Sequence, residues 1–264
     1  MSKLFVRIVS GLVYIVLFIG AILYSQESFI ILISSFAVIS IWELSKLIQF
    51  KNSIPYILVP LIAYYAIYHI TDKRTFLLLL ITLLSSVRLI YHLFSKTSSL
   101  PITFLDKLDV HIRYVLFPFS FILLIPFTQG DYNPDILIYI LVLIWTNDSF
   151  AFFVGKNLGK RKLFESVSPK KTIEGFVGGL IFSLIAGYVI AVNSSIFSIT
   201  NWLVIAVLMS VIGTIGDLVE SKFKRQANVK DSGNIMPGHG GILDRLDSLL
   251  FAAPFVYLYI HFII

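Results

Sequence analysis

The 264-residue chain contains no cysteine. That excludes disulfides, thiolate metal sites and cysteine nucleophiles together. Charge is also scarce. Asp, Glu, Lys and Arg make up 14% of the residues, against roughly 25% in an ordinary soluble domain. The familiar nucleotide and hydrolase motifs are missing: there is no G-x-x-x-x-G-K-[ST] loop, no dinucleotide fingerprint after a strand, no G-x-S-x-G elbow and no H-E-x-x-H pair. What is present is apolar. Hydrophobic residues make up 57% of the chain, and the mean hydropathy is +0.88. A soluble domain of this size needs more polar cover than that, and a disordered chain is poor in apolar residues. The class that remains is an all-α, polytopic integral membrane protein.

A bilayer-crossing helix takes about 20 mostly apolar residues. Nine segments qualify: 4–24, 28–48, 54–71, 75–95, 110–128, 135–155, 173–193, 200–220 and 242–262. Barrel strands would alternate in hydrophobicity, whereas LFVRIVSGLVYIVLFIGAILY is apolar throughout. That first span has no clear A-x-A cleavage site and is too long for a typical signal-peptide core, so a retained anchor is expected. The loops leave no room for a separate soluble domain.

Charge orients the nine spans. One side receives Lys3, Arg7, Lys46, Lys51, Arg88, Lys96, Lys107, Arg113, Lys156, Lys160, Arg161, Lys162, Lys170, Lys171, Lys222, Lys224, Arg225, Lys230 and Arg245; the other receives only Lys73 and Arg74. The positive-inside bias makes the rich side, and with it the N-terminus, cytoplasmic. The net charge of +6 is therefore read as topology and not as nucleic acid binding.

Carboxylates inside a bilayer are costly, so their positions are informative. Glu43 falls in the second span, Asp148 in the sixth and Asp217 near the end of the eighth; Asp244 and Asp247 open the ninth. For Glu43, a satisfied structural pair is as good a reading as a functional one. If the eighth helix continues past Asp217, then Asp217, Glu220, Ser221 and Lys224 share one face, as do Asp244, Asp247 and Ser248 on the ninth. Carboxylates from two helices at one depth suit a hard divalent cation. Neither Asp217 nor Asp244 has a neighbour on its own helix that would neutralise it, so a shared metal is expected to remove the cost of burial. Lys222, Lys224, Arg225, Lys230 and Arg245 around them suit metal-bound phosphates. Gly238, Gly240 and Gly241 bracket His239 and would let backbone N–H groups approach a ligand. A plain turn explains these glycines equally well, and His239 is either a phosphate donor or a loop residue. Upstream, Asn147, Asp148 and Ser149 are polar residues within a span and should face the bundle interior. Lys156, Lys160, Arg161 and Lys162 read as topology signals and headgroup anchors. Lys170 and Lys171 precede Thr172-x-Glu174, which looks like a helix start; an anion is favoured there.

These residues resemble the signature of the phosphatidate cytidylyltransferases (CDP-diacylglycerol synthases). The resemblance runs through Ser221-x-x-Lys224-Arg225, Lys230-Asp231-x-Gly233 and Pro237-x-His239-Gly240-Gly241-x-x-Asp244-Arg245-x-Asp247. Asn147-Asp148 and Ser168-Pro169-Lys170-Lys171-Thr172-x-Glu174-Gly175 are also similar to that family. The detailed likeness covers 145–248; residues 1–130 resemble the family only as a multi-span region. It implies an N-terminal membrane region, 1–130, and a C-terminal catalytic membrane region, 131–264, carrying the signature at 221–247. It also implies an inner-membrane enzyme of phospholipid biosynthesis. Its site would face the cytoplasm and convert CTP and phosphatidic acid to CDP-diacylglycerol and pyrophosphate with Mg²⁺.

On that resemblance Asp217 and Asp244 are the metal ligands. Asp247, Asp231 and Asp148 would serve a second cation or support the first. Lys224, Arg225, Lys230 and Arg245 would contact phosphates. Lys170 and Lys171 would contact the lipid headgroup or the CTP tail, and Ser221, His239, Gly240 and Gly241 would complete the phosphate hydrogen bonds with Asn147 nearby. The partners are the two substrates and the bilayer, with no nucleic acid; a homodimer is compatible with the sequence, which does not fix oligomeric state. Two rivals stand beside this reading. A transporter would place its acids on broken helices near the midplane and would tend to show internal repeats, and none is seen. A CTP-dependent polyprenol kinase would share nucleotide and metal but not acceptor.

Overall fold

The structure, a computed structural model, describes residues 3–68, 73–95 and 103–264. Lys96, counted above among the basic residues, lies outside them. The described residues are mostly helical. α1 (Lys3–Tyr24) and α2 (Gln26–Leu47) meet at Ser25, whose side chain caps α2 by accepting from the Ser28 amide at 3.1 Å. α3 is Ile54–Tyr68 and α4 is Lys73–Phe94. α5 (Phe104–Phe127) is one apolar span that passes through a π-helical stretch at His111–Leu116. That wider winding precedes Pro118, which has no N–H to give the regular ladder. α6 (Pro134–Leu158), α7 (Ile173–Asn193), α8 (Ile199–Gln226) and α9 (Leu243–Phe262) complete the set.

Among the described residues, seven of these helices are long and apolar enough to cross a membrane: all but α3 and α9. Of the expected segment 54–71, residues Ile54–Tyr68 form a 15-residue helix, about 22 Å long at 1.5 Å per residue; 69–71 lie outside the described residues. α9 carries Asp244, Arg245 and Asp247 in its first two turns. α8 does continue past Asp217, to Gln226.

The tightest packing joins α6 to α7, α7 to α8 and α8 to α9. Glycine makes these crossings close. A Cβ on Gly178 would lie 2.6 Å from Val154 of α6, and one on Gly216 would lie 2.4 Å from the Phe251 Cβ and 2.7 Å from the Asp247 carbonyl of α9. The Gly216 contact holds Asp217 beside Asp247. α9 also packs on α5 and, more lightly, on α2 and α4, so the N-terminal helices wrap the C-terminal set.

One element corrects the all-α expectation. Between α6 and α7, β1 (Lys162–Phe164) and β2 (Ser168–Thr172) pair as an antiparallel hairpin. Two features favour strands here. The Lys162 ammonium donates to the Pro169 carbonyl at 2.7 Å across the hairpin. Val167, in the connecting turn, is buried, and Phe164 packs edge-on against Phe94 of α4.

Candidate active site

The C-terminal ends of α6 and α8, the N-terminal ends of α7 and α9, the β hairpin and the 227–242 loop meet at one end of the bundle. β2 ends at Thr172, which caps α7 by accepting from the Gly175 amide at 3.1 Å. The expected helix start is therefore at this position. Glu174 serves a different purpose: it accepts from the backbone amides of Lys160 and Arg161 at 3.0 and 3.1 Å, fixing the entry to the hairpin.

Successive residues of a strand face opposite ways, and β2 separates the two lysines expected to act together. Lys170 is exposed. Lys171 turns inward and forms an ion pair with Asp217. Burial alone would pull the Lys171 ammonium down; the Asp217 carboxylate outweighs that and holds it above the usual lysine range, with Asp148 and Asp247 adding to the effect. Asp217 also accepts from the Ser221 hydroxyl at 3.2 Å, one helical turn on. Asp148, Asp217 and Asp247, from α6, α8 and α9, are close enough for their charges to interact. Asn147 donates to Asp148 at 3.3 Å, while its own Oδ1 is buried with no partner among the described residues.

A second cluster lies beside the first. The Lys224 ammonium donates to Glu220 and to Asp244, each at 2.6 Å, and its side chain is 9% exposed. The other oxygen of Asp244 accepts from the Ser232 amide (2.8 Å) and the Gly241 amide (2.7 Å), and the Ser232 hydroxyl lies 2.9 Å from it. Glu43, from α2, is fully buried. It accepts from the Ile242 amide (3.1 Å), the Leu243 amide (2.7 Å) and the Ser232 hydroxyl (3.1 Å), capping the start of α9.

These contacts revise several expectations. Asp217 and Asp244 do not lack partners; each has a lysine from another element or turn, Lys171 and Lys224. The Asp244 oxygens already face N–H and O–H donors, from Lys224 on Oδ1 and from Ser232 and Gly241 on Oδ2. Lys224, expected at a phosphate, is buried between Glu220 and Asp244. Arg225 donates to the carbonyls of Val167 (3.2 Å) and Val229 (2.9 Å), tying the hairpin to the end of α8. Lys222 donates to the carbonyls of His92 and Ser95 and closes the end of α4. Lys230 and Asp231 are exposed in the loop, and Arg245 is exposed while donating to the His239 carbonyl at 2.8 Å.

The Pro237–Gly241 turn is pinned to α1. Gly238 and Gly240 have φ of 78° and 93°, the left-handed region that glycine enters freely. A Cβ on Gly240 would lie 2.5 Å from the Asp244 Oδ2, and one on Gly241 would lie 2.3 Å from the Glu43 Oε1. The Arg7 Nε donates to the Gly238 carbonyl at 2.7 Å, and the Ser10 Oγ lies 2.8 Å from the His239 Nδ1. Partial burial and the nearby Arg245 and Arg7 charges keep the His239 imidazole below its ordinary pKa. Glu43, Ser232, Glu220, Arg7 and Ser10 were not expected as site residues. Two of them carried a signal in the sequence: Glu43 as an acid inside an apolar span, and Glu220 by its helical spacing from Asp217 and Lys224.

Among the described residues no group of three His, Cys, Asp or Glu side chains is already drawn together as a metal site. Asp148, Asp217 and Asp247 are carboxylates from three helices whose charges interact. They suit a hard divalent cation chemically.

Curated relatives match over part of their length. The chain is 50% identical over 128 residues to a phosphatidate cytidylyltransferase of Bacillus subtilis, covering 48% of each. It is 49% identical over 120 residues to that of Staphylococcus saprophyticus (45% of this chain, 46% of the relative) and 40% identical over 164 residues to that of Haemophilus influenzae (55% and 57%). The chain thus spans about half the length of the curated relatives it matches. The cytidylyltransferase family pattern, by contrast, matches residues 5–263, from α1 to the end of α9. With nearly the whole chain inside that match, the protein belongs to the cytidylyltransferase family.

Proposed function

We propose that the protein transfers the cytidylyl group of CTP to phosphatidic acid, giving CDP-diacylglycerol and pyrophosphate at the cytoplasmic boundary of the membrane. The observation that carries this reading is the Lys171–Asp217 pair set among Asp148 and Asp247 at one end of the bundle, in a chain of the cytidylyltransferase family. The names of its relatives supply the lipid acceptor.

The chemistry asks little of a protein nucleophile. A phosphate monoester has its second pKa near 6, so the lipid phosphate is already an oxyanion at neutral pH. One of its oxygens forms a bond to the α-phosphorus of CTP. The bond from that phosphorus to the bridging oxygen breaks, and pyrophosphate leaves with the electron pair. Positioning and charge neutralisation are the main requirements. Lys171 would hold a phosphate oxygen, leaving Asp217 as it does so. Arg245, exposed at the rim, and Lys230 and Lys170, exposed on the loop and hairpin, would meet the remaining phosphate charge. Lys224 and Asp244 would hold the loop in place.

The carboxylates Asp148, Asp217, Glu220, Asp244 and Asp247 outnumber the enclosed cations Lys171 and Lys224. A bare triphosphate would be repelled by this excess, whereas one carrying a cation would not. Asp217, Asp148 and Asp247 would therefore hold Mg²⁺, which when bound neutralises charge on the departing pyrophosphate. The nine-span arrangement with a cytoplasmic N-terminus rests on the one-sided distribution of Lys and Arg, and the inner-membrane location rests on the family alone.

The test is an acceptor panel. Purified protein in nanodiscs is given [α-³²P]CTP or [γ-³²P]CTP with phosphatidate, a polyprenol or a polyprenyl phosphate. The α label is expected in a lipid product with phosphatidate alone, and the γ label in pyrophosphate. Transfer of γ label to a polyprenol would make the protein a kinase and overturn the reading.

A further inference from the structure

We infer that Glu43 of α2 is a positioning residue for this site, the link by which the N-terminal helices set the geometry of the 231–247 segment. The inference rests on the transferase reading above. Glu43 lies far from the signature in sequence, yet its carboxylate is fully buried against it. Each oxygen accepts one backbone amide at the start of α9, from Ile242 at 3.1 Å and from Leu243 at 2.7 Å. These are amides that a helix start otherwise leaves unpaired, and a carboxylate there also interacts favourably with the helix dipole.

The contact reaches further through Ser232. Its hydroxyl lies 3.1 Å from the Glu43 Oε2 and 2.9 Å from the Asp244 Oδ2. Asp244 in turn holds Lys224, and Lys224 holds Glu220. A continuous polar chain therefore runs from α2 through the loop to α9 and α8. The backbone closes round it: a Cβ on Gly233 or on Gly241 would lie 2.3 Å from the Glu43 Oε1. Two signature glycines are thus explained by an acid that stands outside the signature. Glu43 touches no group assigned to substrate. Its effect passes through the start of α9, which sets the direction of Asp247 and Arg245.

Glu43→Gln isolates this role. Both oxygens face N–H donors, so any placement of the amide sets its NH₂ against a backbone N–H. In the full-length purified protein, kcat is expected to fall roughly tenfold or more, which corresponds to about 1.4 kcal/mol of barrier. KM for CTP should stay within about twofold and the yield of folded protein should be retained. Glu43→Asp, which keeps the charge, should recover part of the loss. Hydrogen exchange at the Ile242 and Leu243 amides should quicken in Glu43→Gln, a readout that does not depend on turnover. An unchanged kcat, or a loss of activity that only tracks loss of folded protein, would overturn the inference. Should Glu43→Gln fail to fold, Ser232→Ala cuts the same chain one step on. It should lower kcat with KM held, and full activity there would overturn the inference equally. If the unaltered protein transfers no label, the transferase reading fails. Exchange at Ile242 and Leu243 then decides the positioning role by itself, and unchanged exchange would end it.

Discussion

Lys170 and Lys171 are adjacent in sequence and differ in what they touch. Lys171 is ion-paired and half-buried, whereas Lys170 is exposed on the other side of β2. Their effects on turnover should therefore separate. Lys171→Ala should lower kcat/KM for CTP by about a hundredfold, near the loss of one charge-assisted contact to a phosphate of about 3 kcal/mol. Lys170→Ala should change it by less than about threefold. Steady-state kinetics of the two purified variants check this, and equal losses would mean that β2 does not divide the lysines. Removing Lys171 should cost little stability, because both partners of the pair are about 30% exposed and solvent screens such pairs to roughly 1 kcal/mol or less. The helical pairs Asp217–Ser221 and Glu220–Lys224 were legible in the sequence from their spacing. The partners across elements were not. Lys171 to Asp217 and Glu43 to Leu243 join residues that no local periodicity connects, so two acids without a helical neighbour looked unpaired when each had a lysine.

Helix positions were readable because apolar runs of about 20 residues are distinctive, and the cap at Thr172 was readable from its residue type. The hairpin was not, since Ser168-Pro169-Lys170-Lys171-Thr172 has the composition of a loop. The depth of the crossings depends on what lies opposite each glycine, which sequence does not state. Gly216 is the clearest case. Gly216→Ala would drive a methyl into Phe251 and the Asp247 carbonyl, and overpacking of this kind costs typically 1–3 kcal/mol. α8 and α9 would part at the point where Asp217 meets Asp247, so activity and thermal stability should fall together. Gly20→Ala is the control: nothing lies within 4 Å of its Cβ direction, and Ala is the better helix former. Thermal denaturation in detergent should show the Gly216 variant melting lower and the Gly20 variant unchanged or higher. A Gly216 variant with the parent's melting point and activity would show that the crossing tolerates a side chain.

At the scale of the molecule, the chain brings its scarce charges to one end. The carboxylates of α2, α6, α8 and α9 gather where α7 and α9 begin, and β2 and the 227–242 loop supply lysine and glycine there. Seven helices among the described residues are long and apolar enough to span a membrane, and the proposed function needs that end at the boundary between lipid and water. The proposed reaction joins a lipid phosphate to a water-soluble nucleotide, and such a pair can meet only at that boundary. The proposed cytoplasmic orientation of this end rests on the one-sided distribution of Lys and Arg. Sealed vesicles of known sidedness, containing phosphatidate and given external [α-³²P]CTP, test site and orientation together, since the nucleotide does not cross the bilayer unaided. A cytoplasm-facing cytidylyl transfer site predicts labelled CDP-diacylglycerol from inside-out vesicles, and from right-side-out vesicles only after they are permeabilised. Labelling of intact right-side-out vesicles, or no labelled lipid from either preparation, would contradict it.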